Sequence, residues 1–134
     1  MKSVLYHHPH IELRKSPVHG YGVFATEDIS SDTILEEVSF ITVPDNVARG
    51  YVFIYPRGGT PLSETIGITP VHALPLGYGC IYNHSDNPNA SWRTDTINKL
   101  FVFFTLSDIK KDDEIRTYYG SESYWQHYPD VNKI

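Results

Sequence analysis

The chain has 134 residues, of which 40% are hydrophobic and 20% charged, and this composition suits one folded domain and excludes a disordered chain. Its formal net charge of −5 argues against a nucleic-acid-binding protein, which normally carries a basic patch, and suits a cationic partner such as a Lys/Arg-rich peptide. The single cysteine, Cys80, excludes an intrachain disulfide and a cysteine zinc cluster. No apolar run approaches the ~20 residues of a membrane helix. Residues 1–11 lack the basic and then apolar segments of a signal peptide. We therefore expect a soluble intracellular protein.

Nine glycines and nine prolines interrupt the chain too often for long helices, and runs of β-branched and aromatic residues predict strands between them. In chain order, the predicted strands are Ile11–Arg14, Tyr21–Ala25, Thr33–Val43, Tyr51–Tyr55, Leu62–Thr69, Leu100–Leu106 and Glu114–Tyr119. The apolar run Leu76–Tyr82 leads into a polar loop, and residues 121–134 place Tyr124, Trp125 and Tyr128 at helical spacing. The pattern predicts an all-β domain with few short helical segments.

Three histidines near the start, His7, His8 and His10, raise the question of a metal site, because neutral imidazole is a good metal ligand. They lie at a chain end with Pro9 between them, and terminal histidines are usually solvated. We predict no metal site here.

Three segments are candidates for chemistry: Gly20–Ala25, Asn83–Ala90 and Asp113–Gly120. Taken alone, each is explained by ordinary turn and strand chemistry, because Asn, Asp, Ser and Gly favour turns. In this order and spacing, with Asn-His-Ser-x-x-Pro-Asn in the second segment and Tyr-Gly ending the third, they resemble the SET domain. That is the fold of a class of S-adenosylmethionine-dependent protein lysine methyltransferases. The resemblance covers about residues 11–128 and is loose over residues 45–75, where members of the family vary.

The resemblance implies a β-clip-like fold of several small sheets closed by a C-terminal pseudoknot. It implies one SET domain over residues 1–134, with a core at about 11–120 and an aromatic segment at 121–134. The chain is similar to the small zinc-free members, such as a minimal SET protein of a large algal virus. Those members follow a Tyr-Gly pair with a Tyr-Trp pair, here Tyr119-Gly120 and Tyr124-Trp125. One departure is Tyr118, because many members have Asp before the catalytic tyrosine.

The resemblance also implies three groups of site residues. The catalytic residues would be Tyr119, Tyr21 and Tyr124. The residues that bind S-adenosylmethionine would be Gly20, Tyr21, Gly22, Asn83, His84, Tyr119 and Trp125. The lysine channel would be lined by Trp92, Thr117 and Tyr124, although core packing explains Trp92 equally well or better. Thr117 falls where other members place a Phe or Tyr that limits the number of methyl groups.

The implied function is methylation of lysine side chains in a basic protein or peptide, with a histone tail as the family's common target. A homodimer is an arrangement that small members can adopt to complete their substrate surface. Two alternatives stay open at this point. One is a catalytically silent SET-like module that binds a basic peptide or the cofactor. The other is an unrelated small β-barrel or clip-like structural protein without affinity for S-adenosylmethionine.

Overall fold

The computed structural model describes residues 2–17, 19–44, 53–57 and 71–119. Within these ranges the regular structure consists of strands, and no helix is present. The strands are β1 Ile11–Lys15, β2 Tyr21–Ala25, β3 Ile34–Val38, β4 Phe40–Thr42, β5 Phe53–Tyr55, β6 Val71–Pro75, β7 Asn83–His84, β8 Ala90–Asp95, β9 Leu100–Thr105 and β10 Glu114–Thr117. The all-β prediction is confirmed.

The strands form three small sheets, with orders β1-β2-β10-β7, β3-β9-β8 and β4-β6-β5. Neighbouring strands pair antiparallel except β10 and β7, which run parallel. Parallel neighbours require a long connection, and here the chain between β7 and β10 supplies it by forming β8 and β9. The first sheet therefore brings together strands from the beginning and the end of the described chain.

The core lies around β9, whose apolar sequence is buried on both faces. Phe101 and Phe103 are fully buried, and the ring of Tyr82 stacks on Phe103 at 4.9 Å between centroids. Phe40 and Phe53 pack edge-on against Phe101 at 5.3 and 5.6 Å. Edge-to-face and offset aromatic pairs of this kind stabilise a core beyond the area that they bury. The prediction of a buried strand at this position is confirmed.

The predicted strand Thr33–Val43 is wrong in its continuity, because it divides into β3 and β4 in different sheets. The break lies at Ser39, whose carbonyl accepts a hydrogen bond from the backbone N–H of Leu76 at 2.9 Å instead of continuing the β3 ladder. Residues 83–84, predicted as part of a loop, form β7, and the sequence analysis does not predict β6 or β8. The predicted strand Leu62–Thr69 and the aromatic tail lie outside the described residues.

The edge of β3 that is not paired with β9 is covered by residues 2–10, which we call the N-terminal segment. The backbone N–H of His8 donates to the carbonyl of Leu35 at 2.7 Å, and that of Glu37 donates to the carbonyl of Tyr6 at 2.9 Å. Lys2 pairs with the carboxylate of Glu37. Pairing of this kind satisfies the backbone groups that an open sheet edge would leave exposed. None of the described residues forms a helix long and apolar enough to cross a membrane.

Candidate active site

The three motif segments of the sequence meet in one sheet because β10 lies between β2 and β7. On one side, Ile115 pairs with Val23 of β2. On the other side, Thr117 pairs with His84 of β7, and its carbonyl accepts the backbone N–H of Ser85 at 2.9 Å. The end of β10 and the residues that follow it are therefore fixed by contacts with both earlier motifs.

The side chain of Asn83 joins two of these segments. It is 3% exposed, and its amide nitrogen donates to the carboxylate of Glu114 at 2.7 Å. The same nitrogen lies 3.1 Å from the carbonyl of His19 and 3.4 Å from the carbonyl of Tyr21. The donors of Asn83 are thus committed to protein groups. The side chain of Asn83 therefore links the glycine-containing segment to β10.

Glu114 is a residue of this site that the sequence analysis does not assign. Its nearly buried carboxylate also accepts the hydroxyl of Ser16 at 3.0 Å and the guanidinium of Arg116 at 2.9 Å. A β-carbon on Gly22 would lie 2.2 Å from Glu114 Oε2 and 3.1 Å from Asn83 Nδ2. The missing side chain of Gly22 therefore makes room for this carboxylate. The available signal was the position of Glu114 in the third motif segment, directly before the apolar Ile115.

His84 is fully buried and holds the backbone of Tyr119. Its Nδ1 accepts the backbone N–H of Tyr119 at 2.9 Å, and its Nε2 lies 2.7 Å from a carboxylate oxygen of Asp86. Because a backbone N–H can only donate, Nδ1 carries no proton, and Nε2–H donates to Asp86. The imidazole is therefore the neutral Nε2–H tautomer. Its ring also contacts the rings of Tyr118 and Tyr119, each at 5.3 Å between centroids.

The hydroxyl of Tyr119 is fixed at the other end of the residue. It donates a hydrogen bond of 2.6 Å to the backbone carbonyl of Tyr82, immediately before β7. A hydroxyl whose proton is committed in this way can act toward any further group only as an acceptor. The arrangement gives a half-buried tyrosine oxygen with a set position and a set hydrogen-bonding role.

The last Asn of the second motif, Asn89, replaces a neighbouring strand along part of β10. Its amide nitrogen donates to the carbonyl of Glu114 at 3.0 Å, and its amide oxygen accepts the backbone N–H of Arg116 at 2.8 Å. The amide nitrogen and the amide oxygen of one side chain therefore both form hydrogen bonds with the β10 backbone. Asn89 is part of the sequence motif, but the motif alone does not predict these hydrogen bonds.

The chain is similar to known proteins over the same segments. The sequence model of the SET domain family matches residues 20–120, which contain all three motif segments. The chain belongs to the SET domain family. The match covers β2 to β10 and includes the residues that hold Tyr119 in place.

Similar proteins come from several organisms. A Schizosaccharomyces pombe histone-lysine N-methyltransferase, H3 lysine-37 specific, is 26% identical over 125 residues, covering 87% of this chain and 77% of that protein. The Caenorhabditis elegans histone-lysine N-methyltransferase set-2 is 30% identical over 111 residues, covering 78% of this chain and 7% of that protein. An Aspergillus oryzae histone-lysine N-methyltransferase, H3 lysine-4 specific, is 27% identical over 121 residues, covering 86% of this chain and 10% of that protein. The chain thus spans a small part of the last two.

A crystal structure of a candidate histone methyltransferase from Plasmodium falciparum has a TM-score of 0.62 and 32% sequence identity to this chain. The match covers 83% of this chain and 93% of that one. The SET fold expected from the motifs is confirmed.

The other sequence-predicted residues of this SET domain occupy two regions. Gly20, Tyr21 and Thr117 lie with the Asn83–Tyr119 cluster: the carbonyl of Tyr21 faces Asn83, and Thr117 pairs with His84. Tyr21 is 68% exposed, so its ring lies at the surface of the site.

Trp92 lies in the second region, on the aromatic core. Its ring contacts Phe53 at 4.9 Å and Phe101 at 5.4 Å, and the guanidinium of Arg57 stacks over it at 4.2 Å. Arg57 also donates to the backbone carbonyl of Trp92. These contacts favour the core-packing interpretation of Trp92. Tyr124 and Trp125 lie outside the described residues.

No group of three His, Cys, Asp or Glu side chains is placed to hold a metal ion in the part of the SET domain that the structure describes. Of the three N-terminal histidines, His7 has its Nδ1 3.5 Å from the carboxylate of Glu36. His8 and His10 contact each other at 5.5 Å between ring centroids.

Proposed function

We propose that this SET domain transfers a methyl group from S-adenosylmethionine to the side-chain amine of lysine in a protein substrate. The observation that carries the proposal is the double fixation of Tyr119. Its backbone N–H is held by His84 and its hydroxyl by the carbonyl of Tyr82, where the three family motifs converge. Membership of the SET family and the names of the similar proteins support the same reaction.

The reaction requires a neutral amine, and an unperturbed lysine has a pKa near 10.4. Bound S-adenosylmethionine supplies an electrophilic methyl group on a positively charged sulfur. The protein's part is to desolvate the lysine, which disfavours the ammonium form, and to align the amine with the methyl carbon. Tyr119 accepts a hydrogen bond from the amine at its hydroxyl oxygen, because its own proton is donated to Tyr82. Alignment of the two reactants then lowers the barrier to in-line displacement by several kcal/mol.

We assign cofactor binding to Gly20–Gly22, Asn83, His84 and Tyr119. Among the described residues, no atom lies within 4 Å of a β-carbon built on Gly20, which leaves room there for a ligand. The buried amide of Asn83 keeps the backbone of the glycine segment in place for such a ligand. The roles of Tyr21 as a catalytic residue and of Thr117 in the lysine channel are part of the same proposal. Those of Trp92, Tyr124 and Trp125 depend on the family resemblance alone.

The substrate class that we propose is a basic protein, with histones as the first candidates. The net charge of −5 favours association with a cationic peptide, and the three similar curated proteins are named as histone-lysine methyltransferases.

The test is transfer of a labelled methyl group from S-adenosylmethionine to purified histones and basic cell proteins. We expect label on lysine with the wild type and its loss with Tyr119→Phe, while cofactor binding measured by calorimetry stays nearly unchanged because Phe keeps the ring and the backbone of Tyr119. Tyr6→Phe is the matched control, because Tyr6 is an exposed tyrosine of the N-terminal segment. Cofactor binding without any transfer would favour a silent binding module, and absence of cofactor binding would contradict the proposal altogether.

A further inference from the structure

The most unusual buried group outside the site is the carboxyl of Glu36 in β3, which is fully buried. Both Glu36 and its neighbour Glu37 lie in the interior, although glutamate is rarely buried without a partner. Successive residues of a strand point to opposite faces, so the two carboxyls face different surroundings. Glu37 pairs with Lys2 and accepts the backbone N–H of Tyr6. Glu36 instead faces residues 76–82, which form the turn between β6 and β7.

Glu36 contacts the start of this turn directly. The backbone N–H of Tyr78 donates to Glu36 Oε1 at 3.1 Å. Gly77 has a φ of +61°, and a β-carbon there would lie 3.0 Å from Glu36 Oε2 and 2.7 Å from Val38 Cγ1. The turn therefore packs its backbone against the carboxyl, at a position where a side chain would not fit.

The end of the turn adjoins the same carboxyl through the ring of Tyr82. The hydroxyl of Tyr82 is buried and has no hydrogen-bond partner of normal geometry among the described residues. Burial, and then the proximity of Glu36, raise the pKa of Tyr82. The carboxyl of Glu36 is thus a polar group close enough to this hydroxyl to act on it. Stacking on Phe103 fixes the plane of the same ring.

Tyr82 connects this buried cluster to the active site, because its backbone carbonyl accepts the hydroxyl of Tyr119 at 2.6 Å. We propose that Glu36 is a positioning residue for Tyr119: it binds the backbone N–H of Tyr78 near the start of the turn 76–82, lies beside the Tyr82 hydroxyl at its end, and so sets the position of the Tyr82 carbonyl. The inference rests on the proposed methyl transfer, because it assigns Glu36 a role in that reaction. Because Glu36 is fully buried, we assign it no direct contact with substrate or cofactor.

The protonation state of Glu36 is compatible with this role. Burial raises its pKa to about 7, and the N–H of Tyr78 and the hydroxyl of Tyr82 oppose that rise. Among the described residues, the titratable groups that face the carboxyl are His7 from the N-terminal segment and Tyr82 from the turn, and the ring of Tyr78 packs against that of His7. The carboxyl accepts the Tyr78 N–H at one oxygen and offers its other oxygen as an acceptor to the Tyr82 hydroxyl. A glutamine keeps one acceptor oxygen in nearly the same shape.

The test compares kcat, the cofactor Kd and unfolding for Glu36→Ala, Glu36→Gln and Glu37→Ala. We expect Glu36→Ala to lower kcat on the order of tenfold to a hundredfold, as small misplacements of a reacting group do, while the cofactor Kd changes little. Glu36→Gln should restore most of kcat. Glu37→Ala is the matched control, since it also removes a buried carboxyl from β3 but does not contact the turn. Equal loss of kcat in Glu36→Ala and Glu37→Ala, or wild-type kcat in Glu36→Ala, would overturn the inference.

Two further measurements keep the test decisive. If Glu36→Ala does not fold, Tyr82→Phe removes only the hydroxyl beside Glu36, and unchanged kcat in that variant would contradict the inference. If the wild type transfers no methyl group, the proposed function fails, and the inference is then decided by NMR of tyrosine labelled with ¹³C at the ζ carbon. Tyr119→Phe assigns the Tyr119 resonance. That resonance should shift in Tyr82→Phe and in Glu36→Ala but not in Glu37→Ala, and an unshifted resonance would refute the role of Glu36.

Discussion

The side-chain amide of Asn83 donates a 2.7 Å hydrogen bond to the carboxylate of Glu114, 31 residues later in the chain. This side-chain contact links β7 to β10, which are also paired through their backbones. It also explains Gly22, because the carboxylate occupies the space where a side chain of Gly22 would lie. One residue from each motif therefore takes part in a single buried contact.

The first prediction concerns this contact. Glu114→Gln replaces one carboxylate oxygen by an N–H₂ donor, which would face one of the donors Asn83, Ser16 or Arg116. We expect the free energy of unfolding to fall by about 1–3 kcal/mol, the usual effect of leaving a buried polar group unsatisfied. Urea unfolding measures this value. Glu12→Gln, at an exposed carboxylate of β1, should change it by less than about 0.5 kcal/mol. Similar values for the two variants would contradict the role of Glu114.

The second prediction concerns Gly22. Gly22→Ala places a methyl group against the Glu114 carboxylate and should cost about 1–3 kcal/mol of stability, as overpacking does. The same substitution should cost less in a Glu114→Ala background, because the clash is then absent. Thermal and urea unfolding of the four proteins of this double-mutant cycle measure the difference. Strictly additive effects would show that Gly22 is needed for another reason.

The third prediction concerns His84. His84→Phe keeps an aromatic ring but removes the acceptor for the Tyr119 backbone N–H. Hydrogen exchange at the Tyr119 amide should become faster, and methyl transfer should decrease about tenfold or more because the tyrosine loses its fixed position. Asp86→Asn is the comparison, since Asp86 is exposed and the Nδ1 acceptor remains. An unchanged exchange rate in His84→Phe would refute the contact.

The fourth prediction follows from the raised pKa of Glu36, from its ordinary value of 4.5 to about 7. The folded protein holds this proton more tightly than the unfolded chain, so the resulting stability is complete below about pH 4.5 and is lost as the pH rises through about 7. Glu36→Gln lacks this dependence. We expect the unfolding free energy of the wild type, relative to Glu36→Gln, to fall by about 3 kcal/mol between pH 4 and pH 8, at about 1.36 kcal/mol per pKa unit.

A control for that measurement is needed because Nδ1 of His7 lies 3.5 Å from the carboxylate of Glu36. Repeating the comparison in a His7→Gln background removes this contribution. A pH-independent difference between wild type and Glu36→Gln in both backgrounds would mean that folding leaves the pKa of Glu36 unchanged.

The sequence predicts those parts of the fold in which the pattern of residue types is local. The apolar run of β9 and the short strand β2 are predicted nearly as the structure has them. The order and spacing of three motifs predict the SET fold, because that information does not depend on strand propensity. The resemblance also identifies Asn83, His84 and Tyr119, which the structure brings together.

Other features depend on partners that are distant in sequence. A strand made of Asn83 and His84 cannot be predicted from residues that favour turns, since it exists only through its pairing with β10. Two adjacent glutamates normally indicate exposure, yet β3 is covered by the N-terminal segment on one side and by the turn 76–82 on the other. For these four residues the local pattern favours a turn or an exposed position, whereas partners distant in sequence place them in a strand or in the interior.

The position of β10 between β2 and β7 has a consequence for how the molecule folds. The contacts that join β2 to β10 pair Val23 and Phe24 with Ile115 and Glu114, about 90 residues later, so they close long loops of the chain. Contacts between residues far apart in sequence form slowly, because the entropy of loop closure opposes them. The β8–β9 hairpin can form early from local contacts, whereas the tyrosine site is completed only when both ends of the described chain have docked. During refolding, the gain of catalytic competence should therefore trail the gain of β structure, and enzymatic turnover would report the last step of folding.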